Sequence, residues 1–204
     1  VDEKGNIIDG DHILAIGGTS LKEKGKLNND TVVGTVMTNM GLDVYLKRHG
    51  MNVVKTKVGD RYVIEEMLKE DYVLGGEQSG HIIFLEHNTT GDGLLTAIQL
   101  ISVIVETGKK ASELNIIMTN FPQVLVNAKV KNELKNTYME DEIIRREIKK
   151  IEDIFHGEGR VVIRPSGTEP LVRVMIEGKE EDKITEIATN LAKLIEERLG
   201  NSKN

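Results

Sequence analysis

Two β-branched runs, Thr31 to Val36 and Met51 to Thr56, flank a segment that opens on Thr38 and Asn39 and carries Val44, Tyr45 and Leu46 at helical spacing. Strand, capped helix and strand in that order form a β–α–β unit, which places its strands parallel and needs a helix-covered sheet. The alternation continues. Asp60 starts a helix with Val63, Ile64, Met67 and Leu68 on one face, Tyr72 to Leu74 and Ile82 to Leu85 read as short strands, and Gly91 to Thr107 as a long helix. That helix carries Leu94, Leu95, Ile98, Ile101, Ile104 and Val105 on a broad apolar face. Upstream, Ile13, Leu14, Ile16 and Leu21 fit a helix begun at Asp9 or Asp11 and loosened at Gly17 and Gly18, with Lys22 to Asp30 as a polar connector. Before it, Val1 and Ile7-Ile8 read as strand ends joined by a turn at Glu3 to Asn6, with Gly5 left-handed. The expected fold of residues 1–118 is a three-layer α/β/α domain with a mixed, largely parallel sheet.

Thr119 to Pro122 breaks the pattern and marks a linker. Residues 119–204 then read as a strand at Val124 to Val130 and a helix at Glu140 to Ile154 with Ile143, Ile144, Ile148 and Ile151 inward. Two strands within Arg160 to Glu177 follow, and then a helix at Glu180 to Leu199. Ile184, Ile187, Ala188, Leu191, Leu194 and Ile195 form its inner face, Gly200 its C′ residue, and Asn201 to Asn204 a frayed tail. This is a small α+β domain with its helices packed on one sheet face.

The formal charge of −6 excludes the clustered positive surface that nucleic acid or an anionic membrane rewards. Neither partner is expected. Cysteine is absent, so thiolate metal sites and disulfides are out, and no apolar run or basic-then-apolar leader suggests a membrane or export. The cytoplasm is the expected location.

Chemistry concentrates in a few short strings. Arg164-Pro-Ser-Gly-Thr-Glu-Pro170 joins two apolar strands. Arg164 offers a fork of N–H donors, Ser166 and Thr168 offer hydroxyls, and Gly167 lets backbone amides approach, which together make a phosphate clasp. The alternative is a tight turn whose hydroxyls cap backbone groups and whose Arg164 pairs with Glu169. Arg173, on the outgoing strand, either extends the phosphate site or makes a cross-strand ion pair. In Gly75 to His81, Glu77 and Ser79 are two apart, so in an extended segment they point the same way and share one ligand. A carboxylate beside a hydroxyl fixes one face of a sugar; the alternative is a glycine-rich connection with a solvated Glu77. Lys57 and Arg61 flank a strand-to-helix turn and suit an anion, or else pair with Glu65 and Glu66. Asp92, between glycines at a helix start, reads as a cap rather than a metal ligand, and no metal site is expected in this chain. His12, His49, His87 and His156 show no partner spacing.

The strings RPSGTEP at 164–170 and GEQSGH at 76–81 resemble, in order, the phosphate-binding and sugar-binding loops of the α-D-phosphohexomutase superfamily. The resemblance implies that Glu77 and Ser79 contact sugar hydroxyls, and that Arg164, Ser166, Gly167, Thr168 and Arg173 hold a phosphate. It also implies that Lys57 and Arg61 contact ligand; His81, which ends the motif, is a candidate proton shuttle, or else a structural histidine beside an apolar strand. The resemblance covers the third and fourth domains of that architecture, with residues 1–8 as a remnant of the second. The superfamily's reaction moves a phosphoryl group between C1 and C6 of a hexose through a phosphoserine and a sugar bisphosphate, with Mg2+ held by three Asp residues. Neither that serine nor that Asp triplet is found: Ser20, Ser79, Ser102, Ser112, Ser166 and Ser202 all lack the setting. The implied catalyst therefore needs the N-terminal domains as partners and binds its Mg2+ outside this chain, which alone is expected to be inactive. Gln78 and the string Val58-Gly-Asp-Arg-Tyr62 resemble the branch acting on glucosamine phosphates, a hexosamine phosphate being the implied substrate. The mannose and glucose phosphate branches, and a non-catalytic phosphosugar-binding module, are the alternatives.

Overall fold

Asp9 accepts the His12 amide at 3.0 Å and so starts the first helix, α1 (Gly10–Glu23), in the computed structural model, which describes residues 1–200. There follow β1 (Thr31–Thr35), α2 (Met40–Arg48), β2 (Asn52–Thr56), α3 (Asp60–Glu70), β3 (Leu74–Gly76), β4 (Ile82–Phe84), α4 (Gly93–Thr107) and α5 (Ala111–Asn115). Strand order is β2-β1-β3-β4, with β1 parallel to β2 and β3, and β4 antiparallel to β3. Alternate residues separate the two faces. Val32, Leu74, Ile82 and Phe84 pack with Leu14, Ala15, Leu42 and Leu46 from α1 and α2, while Val33 and Ile83 meet Val63 and Met67 of α3. Each fully buried Leu contributes about 1.5–3 kcal/mol, so these layers dominate the stability of the unit. The mixed, largely parallel α/β arrangement matches the alternation read from the sequence.

Of the two cap candidates for α2, Asn39 takes the role, accepting from the Gly41 amide at 2.9 Å. Thr38 instead accepts from the Thr35 amide at 3.1 Å.

Four local expectations need correction. Val1 to Ile8 forms no strand; Asp2 Oδ1 gathers the Lys4 and Asn6 amides at 2.9 Å each, closing a turn in which Gly5 has φ 86°. Helix α1 runs unbroken through Gly17 and Gly18, because these glycines admit neighbours rather than loosen the backbone: an added Cβ would lie 3.3 Å from Leu74 at Gly17 and 3.0 Å from Val32 at Gly18. Strand β3 is shifted toward Gly75 and Gly76, since a Cβ at Gly75 would sit 2.6 Å from the Met67 sulfur and 2.9 Å from Val63. Tight helix–sheet packing, not weak strand propensity, explains that glycine. Finally, α4 buries only part of its apolar surface: Val103, with Leu100 and Ile104, packs on Ile16, whereas Leu94, Ile98, Ile101 and Val105 stay exposed. The helix is apolar on more sides than one neighbouring helix can cover.

The second unit comprises β5 (Gln123–Lys129), α6 (Glu142–Phe155), β6 (Gly159–Pro165), β7 (Leu171–Gly178) and α7 (Glu181–Leu199). The two compact units divide at Val1–Asn120 and Phe121–Asn204. Its sheet is antiparallel in the order β5-β7-β6. Val172, Val174 and Ile176 of β7 pack against Ile144, Ile148 and Ile151 of α6 and Ile184, Ala188, Leu191 and Ile195 of α7. Both helices therefore cover one sheet face, as expected. Gly200 closes α7 in an extended conformation (φ −80°, ψ −177°) rather than as a left-handed C′ residue. The tail expected at Asn201 to Asn204, with Ser202, lies outside the described residues. Among the described residues no helix is long and apolar enough to cross a membrane.

Candidate functional site

The bend between β3 and β4 carries Glu77, Ser79 and His81. It is a tight turn, closed by the Gly80 amide donating to the Glu77 carbonyl at 2.9 Å with Gly80 at φ 102°, not the extended segment expected. Ser79 consequently faces forward along the chain, its Oγ 3.3 Å from His81 Nδ1, and both side chains are exposed. Glu77 takes a different partner: its Oε1 accepts from the Gly59 amide at 3.0 Å. The Glu77 carboxylate is thus tied to the turn that opens α3.

That turn holds Lys57 and Arg61. Lys57 Nζ lies 5.8 Å above the Tyr62 ring, a cation–π distance, and is exposed. Arg61 reaches along its own helix to Glu65, Nε to Oε1 2.8 Å, in the i,i+4 pairing that the sequence also allowed. Its side chain is 80% exposed, so the pair adds little stability.

The loop also rests on α1. Gly10 donates to the Gln78 carbonyl at 3.0 Å, and a Cβ there would stand 2.0 Å from the Glu77 carbonyl oxygen. Two residues along, His12 finds a partner that its spacing did not suggest: Nδ1 is 2.7 Å from Asp9 Oδ1. The missed signal is a carboxylate three residues before a histidine at a helix start. His49 likewise bonds the Tyr45 carbonyl at 2.8 Å and packs on its ring.

Burial pushes the Asp9 carboxyl up, but hydrogen bonds from the His12 ring and amide, the His12 charge and a bond to Asn120 outweigh it and hold the group below the usual carboxylate range. A depressed folded value contributes stability above about pH 4 that is lost as pH falls below it. Urea unfolding followed from pH 6 to pH 3 is expected to show a steeper acid loss in the native protein than in Asp9→Asn; parallel curves would dismiss the contribution. Asp92 acts as a helix cap, Oδ1 accepting from the Leu94 and Leu95 amides at 3.0 Å, and the Leu95 bond is the main influence lowering its carboxyl.

In the second unit, β6 and β7 meet in a register that sets Arg164 directly opposite Arg173 and Pro165 opposite Val172. Because Val172 and Val174 face the helices, the two arginines stand on the other face. Like charges directly opposite one another destabilise a sheet unless something shares them. Arg173 gives one terminal nitrogen to Glu169 Oε2 at 3.2 Å, while its Nε is buried without a hydrogen-bond partner. It is Arg173, not Arg164, that meets Glu169. At the bend Ser166 is 3% exposed, its amide bonded to the Leu171 carbonyl at 2.8 Å and its Oγ accepting from the Glu169 amide at 3.2 Å. Gly167 and Thr168 are exposed, and an added Cβ at Gly167 would meet nothing within 4 Å. Two guanidiniums beneath an open lip of hydroxyl and glycine are donors of the kind that can hold a small anion.

Together these features place the chain in the phosphoglucomutase/phosphomannomutase family, to which it belongs: the family's alpha/beta/alpha domain III matches residues 9–121 and its C-terminal domain residues 100–194. Phosphoglucosamine mutase from Thermoanaerobacter sp. (strain X514) is 64% identical over 199 residues, 98% of this chain and 44% of that protein. Phosphoglucosamine mutase from Alkaliphilus oremlandii is also 64% identical over 199 residues, with the same shares covered. The chain spans less than half the length of these relatives. Among solved structures, N-acetylphosphoglucosamine mutase of Aspergillus fumigatus, in complex with GlcNAc-6P and magnesium, shares the fold at a TM-score of 0.77 and 18% identity, over 93% of this chain and 47% of that one.

No group of three or more His, Asp or Glu side chains suited to a metal ion occurs among the described residues. The donors here do not fit the magnesium that the resemblance implies, which that resemblance places outside this chain.

Proposed function

We propose that this chain is the sugar- and phosphate-binding part of a phosphoglucosamine mutase, a cytoplasmic enzyme interconverting glucosamine 6-phosphate and glucosamine 1-phosphate for amino-sugar synthesis. In this reading residues 1–118 supply the sugar loop and residues 119–204 the phosphate loop. Glu77 and Ser79 take ring hydroxyls, and Lys57 and Arg61 add positive charge near them. Arg164, Ser166, Gly167, Thr168 and Arg173 hold the phosphate that does not react.

The chemistry requires a phosphoserine elsewhere in the whole enzyme. Its P–O bond breaks as a sugar hydroxyl oxygen attacks phosphorus, and the hydroxyl's proton leaves to a base, the role proposed for His81. The resulting bisphosphate returns its other phosphoryl group to the serine. Magnesium would be held by that same missing part.

The observation that carries the reading is the face-to-face pairing of Arg164 and Arg173 beside the buried Ser166. A charge-assisted hydrogen bond is worth about 1.5–3 kcal/mol, so Arg164→Ala is expected to weaken glucosamine 6-phosphate binding by about ten- to a hundredfold. Chemical-shift titration of both proteins checks it; equal affinity, or no binding by either, would count against the phosphate site. Mixing the chain with the N-terminal part of the enzyme and comparing turnover of glucosamine, mannose and glucose phosphates tests the activity and the substrate. A binding module would restore none.

A further inference from the structure

Glu77 is held before any ligand arrives, and the group that holds it is an amide on another loop. Gly59 donates to Glu77 Oε1 at 3.0 Å across eighteen residues of sequence. Gly59 is also the N-cap residue of α3, yet that helix start has no side-chain cap of its own. Its backbone, at φ 127° and ψ 129°, lies where residues with a side chain rarely go, and this conformation is what turns the N–H toward the neighbouring loop. The first turn of α3 locks it, with Tyr62 and Val63 amides donating to the Gly59 carbonyl at 3.0 and 3.4 Å.

The geometry points to Gly59 as a positioning residue for Glu77: its amide fixes one carboxylate oxygen and leaves Oε2 for ligand hydroxyls. This rests on the reading that Glu77 takes sugar hydroxyls. A carboxylate already fixed at one oxygen surrenders less side-chain freedom on binding, so its bonds to the ring come at a lower entropic cost. Gly59 touches no ligand in this scheme.

Gly59→Ala isolates the effect, because the added Cβ would point at the Tyr62 ring, 3.4 Å away, an ordinary contact; what changes is the backbone. Glu77→Asp is the companion variant, keeping the charge and the Gly59 backbone but shortening the reach. Amide NMR on the whole chain supplies a readout that general destabilisation does not mimic. In the native protein the Gly59 amide proton should move as acid titrates Glu77, and in Glu77→Asp that response should be lost. Both variants should bind glucosamine 6-phosphate about tenfold more weakly while binding inorganic phosphate as the native protein does. A Gly59 resonance indifferent to Glu77, or undiminished sugar-phosphate binding in Gly59→Ala, overturns the proposal. If Glu77→Ala also binds sugar phosphate normally, the sugar-loop reading falls with it; if Glu77→Ala weakens binding and Gly59→Ala does not, only the positioning role falls.

Discussion

Adding one methyl group at Gly10 is expected to destabilise the first unit by about 3 kcal/mol, the upper end of what overpacking does. Two effects oppose. Alanine is the better helix former by about 0.5–1 kcal/mol, which alone would make Gly10→Ala stabilising. The added carbon, however, would stand 2.0 Å from the Glu77 carbonyl oxygen and 2.9 Å from its carbonyl carbon, both backbone atoms that no rotamer change can move aside. Either α1 retreats from the sheet or the β3–β4 bend lifts, and lifting it breaks the Gly10 to Gln78 hydrogen bond of 3.0 Å. The steric effect is the larger by severalfold. Thermal unfolding by circular dichroism should show a midpoint lower by roughly 10 °C, taking about 2–4 °C per kcal/mol, with faster amide exchange at Gly10. An unchanged or raised midpoint would show that propensity wins and that the contact relaxes cheaply.

The second large effect lies in the other unit. Glu177 is fully buried and bonds Arg160 across the β6–β7 ladder, Nε to Oε2 2.5 Å, the two residues being directly opposite in register. Removing one member of a buried ion pair costs about 3–5 kcal/mol, because the remaining charge stays desolvated. Glu177→Ala is expected to fall in that range, measured by exchange of the β5–β7 amides in increasing urea. The paired change Arg160→Met with Glu177→Leu should regain much of the loss, since apolar side chains of similar volume need no counter-charge. A single variant costing less than about 1 kcal/mol would mean that water reaches the site and screens it, as at an exposed pair.

Periodicity made most of the architecture legible before any coordinates. The runs at Thr31 and Met51, the apolar faces of α3, α6 and α7, and the hairpin around Ser166 all follow from which side chains must be hidden. Glycine is where sequence reasoning failed, because the residue has two opposite uses. At Gly5 and Gly80 it provides positive φ, as a turn signal should. At Gly17, Gly18 and Gly75 it makes room for a neighbour that only the folded chain brings near, so α1 looked loosened and β3 looked two residues earlier than it is. The candidate loops were legible as chemistry but not as geometry. Nothing near Glu77 in sequence announces that its carboxylate meets Gly59, and nothing at Arg164 says that Arg173 stands across from it.

That last pairing makes the hairpin sensitive to length in an unusual way. Side chains alternate sides along a strand, so sliding β6 against β7 by a single residue would send one guanidinium among the valines and isoleucines beneath α6 and α7. The buried Glu177 would lose its counter-ion in the same movement. One miscounted residue would thus ruin core, ion pair and the facing arginines together, which ties correct assembly of this unit to the site proposed for phosphate.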